Sequence, residues 1–463
     1  MSSLKLTFCT GVGTVTGANF LLESDKTKIL VDCGLMQGSQ FADEENRKDF
    51  QYDPASIDFL FVTHAHIDHI GRIPKLVKDG FKGVIYSTPE TREISRLMLE
   101  DAVKIIEMES KTNGKPPMYF DIHVNQAFAL WQTIPYHQEK IVGGKGAGGA
   151  GDFKVYLKDA GHVLGSSIYE FTYNSKKIVF CGDLGNSPAM LLRNTEWVTD
   201  ADYLVLDSVY GDRNHENQKD SDKKLEMVIK DTIKKNGVLV IPSFSLERTQ
   251  IILYKINNMM EDGVVQQIPV YLDSPLAIKI TDIYQEQSSQ ILFNDATKKD
   301  IAGGDHIFNF PKLKNVIRSA DSRGIINTSN PKIIIAGSGM SNGGRVVGHE
   351  AHYLPDPKNT ILLIGYQGLG TFGRQLEGGA KEVMIKGERV PVRARIDNIS
   401  GYSAHKDSDH LVEFAEHTSK TVKKVFVVLG EPKSGLFLVQ RLRDYVGVDA
   451  IYPERGKVYD LPC

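Results

Sequence analysis

Apolar and β-branched residues recur through the first half of the chain in short runs that end at glycine or polar turns. KLTFC (5–9), NFLLES (19–24), TKILVD (27–32) and IDFLFVT (57–63) have the length and composition of strands. Asp32 and Thr63 fall at the C-terminal ends of two of them, where functional groups often project from layered α/β folds. Residues 89–110 and 123–133 carry helical spacing. After residue 208 the rhythm changes. Helical patterns at 217–235, 247–261 and 275–287 alternate with GVLVIP, IPVYL, KIIIAG and TILLIG, which predicts a parallel sheet flanked by helices. Past about residue 390, VRARIDNIS, KVFVVLG and two helical segments resume a strand–helix alternation. Pattern alone leaves open whether this last part is a third domain or a return to the first.

Length and composition change this picture little. A chain of 463 residues exceeds what one core usually serves, so a second domain or a large insertion is expected. Hydrophobic residues at 41% and charged residues at 24% are ordinary for a globular protein, and no run has the apolar length to span a bilayer. The opening MSSLKLTFCT lacks a basic segment followed by a long apolar run, so no secretory signal is expected. Cys9, Cys33, Cys181 and Cys463 are too few and scattered for a disulfide framework or a structural zinc site, and a reducing cytoplasm is the expected location. The net charge of −3 supplies no global field for gripping duplex phosphates, although metal ions can concentrate positive charge locally. Two glycine-rich stretches imitate phosphate loops. GGKGAGGAG (143–151) lacks a Lys-Ser/Thr ending and a following helix, and reads as a flexible hairpin tip. GVGTVTG (11–17) leads into a strand, which argues against a dinucleotide site.

Candidate chemistry centres on Thr63-His-Ala-His-Ile-Asp-His69, which follows an apolar strand and opens the helical pattern IGRIPKLVKDG. Three histidines and an aspartate within six residues are costly to explain as core or surface filler. His64 and His66, two apart on extended backbone, project the same way, while Asp68 and His69 follow the turn and can face a second ion. Imidazole and carboxylate are good zinc ligands. His162 in DAGHVLGSS and Asp183 in VFCGDLG lie on loops after strands and complete a two-metal set in which one carboxylate can bridge. Two neighbouring ions can activate water and polarise a phosphoryl oxygen.

Asp32 in VDCG, the HAHIDH cluster, His162 in AGHVLGS and Asp183 in CGDLG together resemble the metallo-β-lactamase superfamily. DSVYGDRNH (207–215), PSFSLERTQ (242–250), YLDSPLA (271–277), GSGMSNGGR (337–345), GYQGLGTFGR (365–374) and SGYSAHKD (400–407) further resemble β-CASP nucleases. That family includes the bacterial and archaeal ribonucleases related to the eukaryotic pre-mRNA 3′-end cleavage endonuclease. The resemblance implies an αββα sandwich with an inserted β-CASP α/β domain. It divides the chain into residues 1–208 and 391–463 for the metallo-β-lactamase domain and 209–390 for the insertion. The KH extension of archaeal members is not expected, because a strand pattern begins almost at Met1.

The resemblance also implies roles. His64, His66 and His162 would hold one zinc, Asp68 and His69 the other, with Asp183 bridging and Asp32 orienting the ligand loop. Asp68, Asp183, Asp207 and His405 would form the catalytic group, His405 as general acid for the departing ribose oxygen. Arg248, Ser338, Gly339, Met340, Arg374 and Ser403 would meet the substrate, and Tyr210 and Phe244 are aromatics that a base could stack on. One position departs from the family pattern. Val427-Val-Leu-Gly-Glu431 places Leu429 where RNA-acting members carry a histidine that completes the second zinc site, and leucine cannot ligate. A weakened second site is the expected consequence. The implied activity is zinc-dependent endoribonuclease action on single-stranded RNA in processing or decay, with exonuclease action as an addition, and it is compatible with a homodimer. The rival expectations are a DNA-acting β-CASP nuclease, since those members also carry an aliphatic residue at the Leu429 position, and a catalytically weak RNA-binding member.

Overall fold

The computed structural model of the chain describes residues 3–38, 41–144, 151–368 and 370–462. Most of the hairpin tip read at 143–151, and Cys463, lie outside the described residues. The chain divides into two compact units, Met1–Asn214 with His405–Cys463, and His215–Ala404.

The first unit contains two seven-stranded sheets. In one, Val458–Pro462 and Asn19–Glu23 pair antiparallel with either side of Ser3–Thr10, and Lys28–Val31, Phe59–Phe61, Val84–Ser87 and Trp131–Thr133 follow. In the other, Lys424–Val428 lies parallel to Tyr203–Asp207, which lies parallel to Lys176–Phe180. Period-two alternation gives each sheet two apolar faces. Phe8, Phe20 and Phe61 from one sheet meet Phe171, Phe180 and Phe426 from the other in a shared core. The opposite face of the first sheet, including Leu30, Leu60 and Ile85, packs on Leu99 and Val103 of helix Pro89–Asn113. The opposite face of the second, including Val425 and Val427, packs on Leu411 and Phe414 of helix Ser408–Glu416 and on Leu438 of helix Pro432–Arg441. The result is four layers, αββα. Strands from the last sixty residues sit inside both sheets, so the chain's end returns to the first unit.

The second unit holds an all-parallel six-stranded sheet, with Val238–Pro242, Lys332–Ala336 and Thr360–Ile364 at its centre and fully buried. Strands buried on both faces read as continuous apolar runs, as these do. Helices such as Gln218–Lys234, Arg248–Glu261 and Pro275–Gln285 connect them.

Two local readings need correction. The helix expected over 123–133 ends at Ala129, and Trp131–Thr133 is a strand parallel to Val84–Ser87. Trp131 Nε1 donates to Ser87 Oγ at 2.9 Å, a tertiary contact that overrides local spacing. VRARIDNIS was expected in the returning segment, but Arg395–Ile399 pairs in parallel with Thr360–Ile364 and closes the second unit's sheet. Among the described residues no helix is long and apolar enough to cross a membrane.

Candidate functional site

Each candidate metal donor of the first unit leaves the carboxyl end of a strand, and the loops that carry them are fastened to one another. Asp32 follows strand Lys28–Val31 in the left-handed region (φ 60°) and is fully buried. Its carboxylate accepts the Thr63 backbone N–H and hydroxyl, both at 2.7 Å, and its Oδ2 lies 2.7 Å from His69 Nδ1. That bond fixes the His69 ring so that Nε2 points away, toward Asp183. Close backbone approach explains two glycines. A Cβ on Gly34 would lie 1.5 Å from the Asp68 carbonyl oxygen, and one on Gly185 would lie 1.9 Å from the Gly161 carbonyl oxygen. The HAHIDH loop is thereby pressed on the Asp32 loop, and the Asp183 loop on the His162 loop. His162 is held from its own loop by Ser166, whose Oγ accepts the His162 N–H at 3.0 Å.

Four donors converge. His66 Nδ1 lies 3.0 Å from His64 Nε2 and 3.2 Å from His162 Nε2, and Asp183 Oδ2 lies 3.6 Å from both His64 Nε2 and His162 Nε2. Bonds of about 2.0–2.1 Å at tetrahedral angles hold donor atoms roughly 3.3 Å apart. The spacing fits one metal ion. A second set is looser. His69 Nε2 lies 3.4 Å from Asp183 Oδ1 and 3.9 Å from Asp68 Oδ2. His69 Nε2 and Asp183 Oδ1 are both buried without a hydrogen-bond partner, as atoms reserved for an ion would be. Among the described residues the compact donor groups are His64, His66, His162 and Asp183, and separately Asp183, Asp207 and His405; Asp68 and His69 belong to neither. Leu429 is buried in the sheet–sheet core with φ 50°, and it offers no donor.

Electrostatics follow from this packing. Burial, reinforced by the neighbouring His69, holds His64 well below the usual imidazole range, so it is neutral as a ligand must be. For His69, burial is outweighed by the Asp183 and Asp32 carboxylates, which raise it well above that range. Asp183, buried but facing His69 and then His64 and His405, stays well below the usual carboxylate range. Asp68 is pushed up to about 6, chiefly by burial. Asp207 is raised well above the carboxylate range by burial and then by the charge of Asp183. A cation in place of the protons would be favoured by the ionised Asp183 carboxylate.

His405 is placed beside this group. Its Nδ1 lies 3.8 Å from Asp183 Oδ2, and its ring centroid is 4.5 Å from that of His162 and 6.1 Å from that of Tyr210. A bridge between Gly185 and His405, with the Lys406 N–H donating to the Leu184 carbonyl at 2.8 Å, ties its loop to the Asp183 loop. Sequence reasoning missed Lys406. It is buried, and its Nζ donates to Gly185 O and Ser187 Oγ, both at 2.9 Å, and to Thr195 Oγ1 at 3.0 Å. Burial draws it down to about 8. A lysine after a histidine carries no signal of such a role, because only the fold turns it inward.

The remaining predicted contacts belong to the second unit. Arg248 is buried and opens helix Arg248–Glu261, its Nη2 3.1 Å from where a Cβ on Gly365 would sit. Ser338 Oγ accepts the Asn342 N–H at 3.1 Å, the Gly339 carbonyl accepts from Gln367 Nε2 at 3.2 Å, and the Met340 carbonyl accepts the Gly373 N–H at 3.0 Å. Gly339 lies against the Phe244 ring so closely that a Cβ would come within 2.5 Å of it. Phe244 is thus a packing partner of the loop. Arg374 pairs with Glu377 at 3.0 Å, and Ser403 is buried.

Comparison with known proteins adds three family matches. Residues 12–235 match the metallo-beta-lactamase superfamily, 249–376 the Beta-Casp domain, and 389–453 the Zn-dependent metallo-hydrolase RNA specificity domain. The chain is 30% identical over 408 residues to Ribonuclease TTHA0252 of Thermus thermophilus, covering 88% of this chain and 90% of that protein. It is 31% identical over 446 residues to transcription termination factor FttA of Methanosarcina mazei, covering 93% of this chain and 67% of that one. A crystal structure of a protein of unknown function from Enterococcus faecalis shares the fold at a TM-score of 0.54 and 13% identity, over 99% of this chain and 100% of that chain.

Proposed function

The chain belongs to the β-CASP family of the metallo-β-lactamase superfamily and is a metal-dependent hydrolase of the nuclease type, and from that premise we propose that it is a zinc endoribonuclease acting on single-stranded RNA. The observation that carries this reading is the convergence of His64, His66, His162 and Asp183 at metal-ligand spacing. Those four would hold one zinc, and Asp68, His69 and the second oxygen of Asp183 a weaker one. When bound, the metal supplies Lewis-acid chemistry, activating water and offsetting charge on the phosphoryl group. The chain's own residues do the rest. Asp32 holds the His69 ring in one orientation. Asp207, kept neutral by burial, lies with Asp183 and His405 in one group whose ligand atoms are all within 4.8 Å of one another. His405 gives a proton to the departing ribose oxygen. Arg248, Arg374, Ser403 and the Ser338–Met340 loop receive substrate phosphates, Arg374 exchanging its pairing with Glu377 for one of them.

RNA is supported by the relative named as a ribonuclease and by the match to an RNA specificity domain. The net charge of −3 favours a threaded single strand over a duplex gripped from outside. Leu429 is the observation that favours a DNA-acting enzyme instead. The test is incubation of zinc-loaded protein with one end-labelled sequence as single-stranded RNA, as RNA annealed to its complement, and as single-stranded DNA. Cleavage confined to unpaired RNA is expected. Equal rates inside the duplex, or preferential cleavage of DNA, would overturn the reading.

Unequal metal sites give a separate prediction. After mild dialysis one zinc should remain and the other should leave, because the second site lacks an imidazole that Leu429 cannot supply. Leu429→His, at a position whose φ of 50° already turns the backbone out of the strand, should retain the second ion. Outer-sphere changes alone move metal affinity by about 10–100-fold, and a restored ligand should do at least that. Two equally retained ions in the unaltered protein would mean that another group fills the place.

A further inference from the structure

Arg72 lies on the segment that carries Asp68 and His69, one helical turn beyond His69, and its side chain does not take part in the metal centre. It is 4% exposed. Its backbone N–H donates to the Cys33 carbonyl at 2.8 Å, and its guanidinium lies over the Phe50 ring, 4.3 Å from the centroid. Nε is buried without a hydrogen-bond partner, and among the described residues no hydrogen bond or ion pair engages the guanidinium. Of the guanidinium nitrogens Nε alone is sealed from solvent without a hydrogen-bond partner, a costly state, and proteins otherwise pair such a group or give it a ligand.

Arg72 borders an open cavity of about 380 Å³, within the range of small-molecule sites. Arg455 and Lys48 also line it. Their charges are partly spoken for, since Arg455 donates to Glu45 Oε2 at 3.0 Å and Lys48 pairs with the same carboxylate. Asp49, the other acid on the wall, is turned out to solvent. Two cations thus share Glu45 and Arg72 is left over, its planar fork suited to grip two oxygens of one anion.

We infer that this cavity binds a small oxyanion, a phosphate or a carboxylate on a molecule of mononucleotide size or less, on Arg72 with Arg455 beside it. The site is separate from the metal donors but adjoins their support. Asn19, on the cavity wall, donates from Nδ2 to the Asp32 carbonyl at 2.8 Å, and Asp32 holds His69.

Crystals of the metal-loaded full chain soaked in selenate test the assignment directly, because position distinguishes this cavity from any anion on the metals. A selenium anomalous peak within hydrogen-bond distance of Arg72 is expected, absent from Arg72→Met crystals whatever happens at the metal centre. No peak beside Arg72 in the unaltered protein, or one that survives Arg72→Met, overturns the inference. Titration calorimetry with inorganic phosphate and with acetate separates the two chemistries. The anion that fits should bind at least about tenfold more weakly to Arg72→Met, the effect of losing charge-assisted hydrogen bonds. Should that variant fail to fold, Arg72→Lys keeps the charge without the fork and should weaken the same anion. Unchanged binding of both anions to the variant would equally overturn the proposal. Selenate at the metals with none in the cavity would leave the nuclease reading standing and remove only this one.

Discussion

Asp183→Asn is expected to empty the centre of metal and to lower RNA cleavage by roughly 10³-fold or more, since metal ions contribute several kcal/mol to the transition state at 1.36 kcal/mol per decade. The side chain is the hinge of the whole arrangement. Its Oδ2 lies 3.6 Å from the Nε2 atoms of His64 and His162, and its Oδ1 lies 3.4 Å from Nε2 of His69. Asparagine preserves the shape and one oxygen but removes the charge that draws a cation among four imidazoles, one of which is held neutral by burial. The fold should survive, because the loop is fastened through backbone, by the Gly185 N–H on the Ala160 carbonyl at 2.8 Å and by Lys406 on the Gly185 carbonyl. Metal analysis and cleavage rate are to be read on the same preparation, with circular dichroism as the control. A variant that keeps its metal and cleaves within tenfold of the parent would remove Asp183 from the proposed centre.

His405→Ala should behave differently, lowering turnover by about 10²–10⁴-fold while leaving metal content intact. The side chain of His405 is 18% exposed, against 0% for His64 and His162, so it stands at the open side of the centre where a leaving group can reach it. Its distance of 3.8 Å from Asp183 leaves it near the donors without belonging to the four that converge. A proton donor is needed most when the leaving group is a poor one. The loss should therefore be large on RNA and small on an activated aryl phosphodiester, whose phenolate departs unaided. An equal loss on both substrates would reduce His405 to a positioning residue, and loss of metal would make it a ligand. Lys406→Met, which unfastens the same loop from Gly185, Ser187 and Thr195, should reproduce part of the effect.

How much of this was legible depends on how locally each feature is encoded. The HAHIDH cluster could be read because six consecutive residues carry four donors, a density that neither core packing nor a solvated surface calls for. Short apolar runs gave strands in both units, continuous where both faces of the sheet are buried, as at Val238–Pro242. The strand at Trp131–Thr133 was misread because three residues cannot outweigh the helix spacing before them until Val84–Ser87 supplies hydrogen bonds. Arg395–Ile399 was assigned to the wrong unit for a related reason, as its partner Thr360–Ile364 is chosen by edge geometry that no local pattern records.

By itself, then, the sequence determined most of the elements and their order, supplied the donor-type residues, and through Leu429 set a side chain that cannot ligate where the family pattern has a histidine. Tertiary structure decided which candidate donors converge, because Asp183 Oδ2 comes within 3.6 Å of both His64 Nε2 and His162 Nε2 only when three loops of two sheets meet. It also decided the states of buried polar groups: Lys406 turned inward, Asp207 pushed toward its neutral form by burial, Arg72 left with an unpaired Nε. The physical reason is common to all three. Burial and long-range proximity set the energy of a charge, and both are properties of the folded arrangement that no short stretch of sequence contains.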